Sequence, residues 1–180
     1  MTTASISGDV LQLPAVGQYG IDPRASTITF KSRHLFGLAP VHGTMAIRDG
    51  LVDIADPLTG SSVQAEIDTT SFDTGSRQRD RDVRSPRFLD AERYPSMTFT
   101  SRWLDRSNGR WTLTGTLMVR DVARPVSLTI QRSTVTPGRP MSFVVYATTR
   151  IDRTDFGLTA AKGLAGRHLD LSLRIQGVRR

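Results

Sequence analysis

Apolar and polar residues alternate along most of this chain, and that alternation constrains the fold more than any other feature. It is clearest from Val126 to Ile130 and from Leu169 to Ile175, and similar runs surround Ile28, Ile67 and Leu113. Successive side chains of a β-strand point to opposite faces, so this pattern indicates antiparallel strands with one buried face.

Turn-forming dipeptides separate the alternating runs. Asp49-Gly50 and Asn108-Gly109 suit tight hairpins, because both central positions of such turns favour positive φ. Arg124-Pro125 and the segment from Pro137 to Pro140 predict two further breaks. We therefore expect about eight strands, most of them joined in chain order.

A meander of this length must cover one apolar face and two strand edges. Closure into a barrel does both. The sequence therefore predicts an all-β fold with a single eight-stranded antiparallel barrel. Alternation is lost from Phe72 to Pro95, so we expect a short helix and loop, at about residues 73–93, lying over one mouth of the barrel.

The chain has 180 residues, enough for one domain. We expect a loose leader over residues 1–18 and the barrel over residues 19–180. The leader has no Lys or Arg and no continuous apolar stretch, unlike a secretory signal. This favours a cytoplasmic protein, or a periplasmic or secreted one if the start of the chain has been removed.

Catalytic and metal motifs are not evident. The chain has no cysteine, and its histidines do not form a zinc-binding motif, so we predict no catalytic residue, metal or cofactor. One alternative is an enzyme that uses the cavity, with His34 or His42 as the base. Another is a nucleic-acid module, suggested by the net charge of +7, but the arginines are spread along the chain.

An eight-stranded barrel can be filled by its own side chains or can hold one small ligand. The predicted inward-facing positions and the aromatic residues around the mouth would then contact that ligand. These candidates are Ile28, Phe30, Phe36, Ile67, Phe72, Phe88, Phe99, Leu113, Leu117, Leu128, Phe156 and Leu171.

Several spaced motifs beyond residue 19 resemble one known family, the YceI-like lipocalin-like proteins. The motifs are Tyr19-Gly20-Ile21-Asp22-Pro23, Arg33-His34-Leu35, Ser71-Phe72-Asp73-Thr74-Gly75, Arg84-Ser85-Pro86-Arg87-Phe88-Leu89-Asp90, Gly115-Thr116-Leu117 and Arg153-Thr154-Asp155-Phe156-Gly157. Asp82-Val83 departs from the more common histidine–leucine, and the stretch from Thr159 to His168 is short for the family.

The resemblance implies an elongated apolar cavity that binds an isoprenoid or another long-chain lipid, in a carrier or storage protein connected with stress. A phosphate head group would be neutralised at the rim by Arg33, His34, Arg79 or Arg153. No nucleic-acid partner is expected. Transient membrane contact, and either a monomer or a homodimer, are compatible with this interpretation.

Overall fold

The computed structural model describes residues 11–34, 38–162 and 164–180, without the side chain of His34. Ten strand segments and one α-helix, α1 at Arg77–Arg84, form the domain, with short 3₁₀ helices at Leu58–Gly60, Thr69–Ser71 and Arg153–Phe156. The strands are β1 Gly17–Ile21, β2 Thr27–His34, β3 Ala39–Met45, β4 Ile47–Ile54, β5 Ser62–Asp68, β6 Ser96–Ser107, β7 Arg110–Val119, β8 Val122–Thr136, β9 Ser142–Asp152 and β10 His168–Arg179.

Strands β1 and β10 close the sheet into a barrel. β10 pairs with β9 along one edge, and its other edge is shared between β2 and β1. β1 also pairs with β4, and antiparallel pairing then continues from β4 to β10. Since β1 and β2 follow one another along the same edge, and β3 and β4 do likewise, the ten segments make eight walls. The predicted closed eight-stranded antiparallel barrel is confirmed.

The barrel has two different ends. One, which we call the helix end, carries α1, the end of β2, the start of β3 and the described part of the β9–β10 connection. The other, the terminal end, carries residues 11–16, the β4–β5 connection and the β6–β7 and β8–β9 turns. The described part of the predicted leader, residues 11–18, makes main-chain hydrogen bonds and enters β1 at Gly17.

The predicted turns have mixed outcomes. Asn108 and Gly109 have φ angles of 50° and 77° and form the predicted β6–β7 hairpin. The segment from Pro137 to Pro140 connects β8 to β9, also as predicted. The expected helix is confirmed as α1, which ends at Arg84, two residues before Pro86.

The prediction of a hairpin turn at Asp49-Gly50 is wrong, because both residues lie within β4. Gly50 instead allows close approach of a neighbouring strand: a Cβ there would lie 2.5 Å from Ile21 Cδ1 and 2.8 Å from the Gln64 carbonyl oxygen. Pairing with β1 and β5 therefore outweighs the turn preference of the dipeptide.

The predicted break between strands at Arg124-Pro125 is also wrong. The turn lies earlier, where Arg120 has a φ of 58°, and β8 runs through Pro125. β8 pairs with β9 only from Thr129 onward, so at Pro125 one strand edge is unpaired. Proline is tolerated at such an edge because its missing N–H is not needed there.

Aromatic rings pack over glycines on the inner wall. The ring of Phe99 occupies the position that a Cβ of Gly115 would take, and Phe143 does the same at Gly177. A glycine without a side chain lets a ring from the next strand lie along the wall rather than project across the barrel. The interior consequently keeps open space at its centre.

Replacing Gly115 with alanine tests this packing. The new Cβ would lie 2.5 Å from Phe99 Cζ and 2.6 Å from the Thr100 carbonyl oxygen, so we expect Gly115→Ala to lower the free energy of unfolding by about 1–3 kcal/mol. Gly60→Ala is the control, since its Cβ would meet only the Ala55 Cβ, at 3.4 Å. Urea denaturation of both variants measures the difference, and equal stabilities would contradict this account.

Candidate functional site

A cavity of about 370 Å³ occupies the interior of the barrel. All eight walls contribute to its lining, which is almost entirely aliphatic and aromatic. The polar exceptions are four hydroxyl-bearing residues and three arginines: Ser32, Ser61, Ser133, Thr149, Arg33, Arg79 and Arg153. Such a surface binds apolar chains through burial of methylene groups and contains few groups that could orient a polar substrate.

The structure brings the predicted ligand-contacting residues together. Ile28, Phe30, Ile67, Phe72, Phe88, Phe99, Leu113, Leu117, Leu128, Phe156 and Leu171 all line the cavity. Phe36 lies outside the described residues. The agreement follows from the two-residue period, because inward positions of adjacent strands must share one face in a closed sheet.

Other lining residues were not predicted. The inward row of β9 comprises Phe143, Val145, Ala147, Thr149 and Ile151, and all five contact the cavity. Their alternation from Phe143 onward was the available signal. Leu11, Leu13 and Pro14 also line the cavity, at the terminal end, and no periodicity in the sequence marks them.

Aromatic residues close much of the helix end. The rings of Phe72 and Phe30 stack with centroids 5.0 Å apart, which seats the segment after β5 against the barrel wall. Phe88 and Leu89, which follow α1, are 5% and 6% exposed and face the cavity. Arg84, the last residue of α1, donates a hydrogen bond to the Phe72 carbonyl. This bond joins the end of α1 to the segment that follows β5.

Arg153 is a buried cation at the helix end, with 7% of its surface exposed. Its Nε donates to the Gly166 carbonyl at 2.8 Å and its Nη2 to the Ala165 carbonyl at 3.1 Å, and Nη1 donates to the Leu158 carbonyl. Its guanidinium also lies 5.6 Å from the centre of the Phe88 ring. Arg153 therefore holds the β9–β10 connection in place and joins it to the segment that follows α1.

The electrostatic setting of Arg153 is unusual for a structural arginine. Burial lowers the pKa of its guanidinium, and the neighbouring Asp152 carboxylate partly offsets that effect. Among the residues that the structure describes, no carboxylate oxygen lies within 4.0 Å of it. Three backbone carbonyl dipoles and one aromatic face stabilise the charge instead.

The structure describes the side chains of two other residues that were predicted to contact a head group. Arg33 and Arg79 both line the cavity near the helix end, and Arg79 Nε donates to Thr74 Oγ1 at 2.8 Å. Thr74 in turn donates to the buried Asp80 carboxylate at 2.6 Å. The side chain of His34 lies outside the described part of the structure.

Asp152 is the carboxylate that organises the start of the β9–β10 connection. Its Oδ1 accepts hydrogen bonds from the hydroxyl and the backbone N–H of Thr154, and its Oδ2 lies 2.5 Å from Arg167 Nε. The Thr154 hydroxyl bond, the Thr154 N–H and Arg167 together lower the pKa of Asp152 to about 2, against a smaller opposing effect of burial.

Neither of the two described histidine side chains, His42 and His168, lines the cavity. His42 is exposed and pairs with Lys31 on the outer side of the β2–β3 ribbon, so it is not placed as a base for a bound ligand. Within the described ranges, no cluster of histidine and carboxylate groups is suited to hold a metal ion. No described helix is long and apolar enough to cross a membrane.

Replacing Arg153 with methionine tests its role as a clamp. The variant keeps an apolar stem but loses charge-assisted hydrogen bonds to three carbonyls, so we expect a loss of about 2–4 kcal/mol in unfolding free energy. Arg150→Met, three residues earlier and near the end of β9, is the matched control, because the pair of Arg150 with Asp170 is largely exposed and contributes less than about 1 kcal/mol. Chemical denaturation gives both values, and similar losses would show that Arg153 is not a clamp.

The lowered pKa of Asp152 predicts an acid-dependent loss of stability. The ordinary unfolded value is about 3.9, so its stabilising effect is complete above that pH and disappears as the pH falls toward 2. We expect Asp152→Asn to be less stable than the parent near neutral pH and to have a flatter stability profile between these two values. The change Asp155→Asn, at an exposed carboxylate on the 3₁₀ helix that Asp152 caps, is the control for thermal unfolding across that range.

The chain is similar to known proteins over almost its whole length. It is 31% identical over 172 residues to a UPF0312 protein of Vibrio parahaemolyticus, covering 90% of this chain and 87% of that protein. It is also 31% identical over 157 residues to Protein YceI of Escherichia coli O157:H7, covering 84% of this chain and 80% of the relative.

Solved structures share the fold. The crystal structure of BcnA from Burkholderia cenocepacia matches with a TM-score of 0.71 at 20% identity, covering 87% of this chain and 98% of that one. A polyisoprenoid binding domain from Saccharophagus degradans matches with a TM-score of 0.64 at 16% identity, covering 92% and 100%. The model of the YceI-like domain matches residues 19–177, and this chain therefore belongs to the YceI-like family.

Proposed function

We propose that this protein binds a long-chain apolar ligand, an isoprenoid or another lipid, inside its barrel. The observation that carries the proposal is the cavity of about 370 Å³ inside the barrel, with an almost wholly apolar lining. The polyisoprenoid-binding description of the structural neighbour from Saccharophagus degradans supports the same ligand class. A role as carrier or storage protein, with a connection to stress, is part of this proposal.

The energetics favour recognition through the tail of the ligand. Burial of one methylene group contributes roughly 0.8 kcal/mol, so a dozen contribute on the order of 10 kcal/mol. Association costs roughly 4–15 kcal/mol in lost freedom of motion. A ligand with a longer chain can therefore bind mainly by burial of its tail, without an extensive polar site.

The distribution of charge gives the ligand a direction. Arg33, Arg79 and Arg153 are the cations that line the cavity, and all three lie near the helix end. An anionic or strongly polar head group would be stabilised there, while the tail would extend toward the terminal end. Since Arg153 already donates to three carbonyls, Arg79 is the better candidate for direct contact with a head group.

Two exposed leucines also lie at the helix end. Leu38 precedes β3 and is 85% exposed, and Leu164, in the β9–β10 connection, is 52% exposed. Exposed leucines can insert into the interface of a bilayer. Transient contact of this end with a membrane would let an apolar chain enter or leave without crossing water.

Leu117→Trp tests the proposed function. Leu117 lines the cavity, so a bulkier side chain would fill space that the ligand needs, and we expect affinity to fall at least tenfold, or about 1.4 kcal/mol. Met118→Trp is the control: Met118 is the next residue along β7, is 44% exposed and is absent from the lining. Displacement of a fluorescent fatty acid by a long-chain prenol measures both affinities.

Mass spectrometry of organic extracts from the purified protein identifies what it carries. The proposal predicts a long-chain lipid that co-purifies with the parent and with Met118→Trp, in a smaller amount with Leu117→Trp. It would be overturned by a parent protein that carries no lipid and takes up no long-chain prenol or fatty acid.

A further inference from the structure

Residues 11–16 form a strap across the terminal end of the barrel. At one end of the strap, the Gln12 N–H donates to the Ser133 carbonyl at 3.1 Å and the Gln12 side-chain carbonyl accepts from the Val135 N–H at 2.8 Å. Leu11 forms a parallel bridge with the same part of β8. This part of β8 pairs with β9 along one edge but extends past Ile130, the last residue that pairs with β7, so the main-chain groups on its other edge need other partners.

The other end of the strap is fixed where β1 begins. The Tyr19 hydroxyl donates to the Ala15 carbonyl at 2.7 Å, and Arg179 donates to the Val16 carbonyl at 3.1 Å. Tyr19 is 0% exposed and packs edge-on against Phe143, with centroids 5.2 Å apart. Both anchors are thus built on rigid parts of the barrel.

Between the two anchors, the strap contacts the cavity. Leu11, Leu13 and Pro14 line it, although Leu13 is also 55% exposed. A residue that touches both the cavity and the solvent shows that the closure is only one residue thick here. β8 and β1 are not neighbours in the barrel, so the strap spans the opening rather than extending the sheet.

We propose that the strap is the floor of the cavity and sets the longest chain that the protein accepts. This inference rests on the proposed function. On β10, the lining positions run from Leu169 near the helix end to Ile175, about 20 Å of strand at ~3.3 Å per residue. A tail that extends farther meets Leu11 and Leu13, and it can continue only by displacing a segment held at both ends.

The strap is also separate from the family domain. The YceI-like model matches residues 19–177, and the strap ends before the first of them.

The test uses the full-length protein and a homologous series of straight-chain primary alcohols. In the parent, affinity should rise about fourfold per added methylene until the tail reaches the strap, and then level off or fall. In Leu11→Ala/Leu13→Ala the rise should continue to longer chains, so that the first alcohol beyond the parent's limit binds at least about fourfold more tightly to the variant. Val16→Ala is the matched control, because Val16 is on the strap, is 55% exposed and is absent from the lining.

A second variant weakens the attachment of the strap to β8 and leaves the cavity-lining leucines unchanged. Gln12→Ala removes the acceptor for the Val135 N–H, so hydrogen exchange at that amide should accelerate and the length limit should shift in the same direction. This variant leaves both floor leucines in place. It therefore separates displacement of the strap from loss of leucine side chains.

The outcomes distinguish the two proposals. An identical length limit in the parent and in Leu11→Ala/Leu13→Ala would overturn the role of the strap, and so would an equal shift in Val16→Ala. If the parent binds no alcohol of any length, the proposed function itself fails, and the strap's role fails with it. A longer limit in the double variant and in Gln12→Ala, with Val16→Ala unchanged, supports the proposal.

Discussion

The main-chain pairing of β1 with both β4 and β10 closes the sheet, and the other features of the protein depend on that closure. A closed sheet has no edge strand, and its inward side chains are removed from water whether or not they touch one another. An apolar space can therefore exist at the centre of the molecule without exposing main-chain polar groups.

The cavity stays open because large side chains lie along its wall. Phe99 lies over Gly115, and Phe143 lies over Gly177. Each glycine removes a side chain from the wall and accepts an aromatic ring in its place. The same rings that would fill the centre of a solid core are thus packed against the main chain.

The two ends of the barrel are closed by different kinds of interaction. At the helix end, the buried Arg153 binds three carbonyls of the β9–β10 connection and contacts Phe88. At the terminal end, Gln12 binds the part of β8 beyond its pairing with β7, and leucines close the opening. A cationic end and an apolar end give the cavity a polarity that suits a ligand with a head group and a tail.

The sequence by itself determined the strands and the face that each one buries, because the two-residue period is a property of the extended chain. It therefore predicted lining residues such as Leu113 and Leu171. It did not reveal that Asp49-Gly50 lies within β4, since pairing with strands distant in sequence outweighs a local turn preference. Nor did it indicate that Arg153 is bound to loop carbonyls or that Leu11 and Leu13 line the cavity. Only the tertiary structure decided these roles, because they depend on which distant groups closure of the barrel brings to each end.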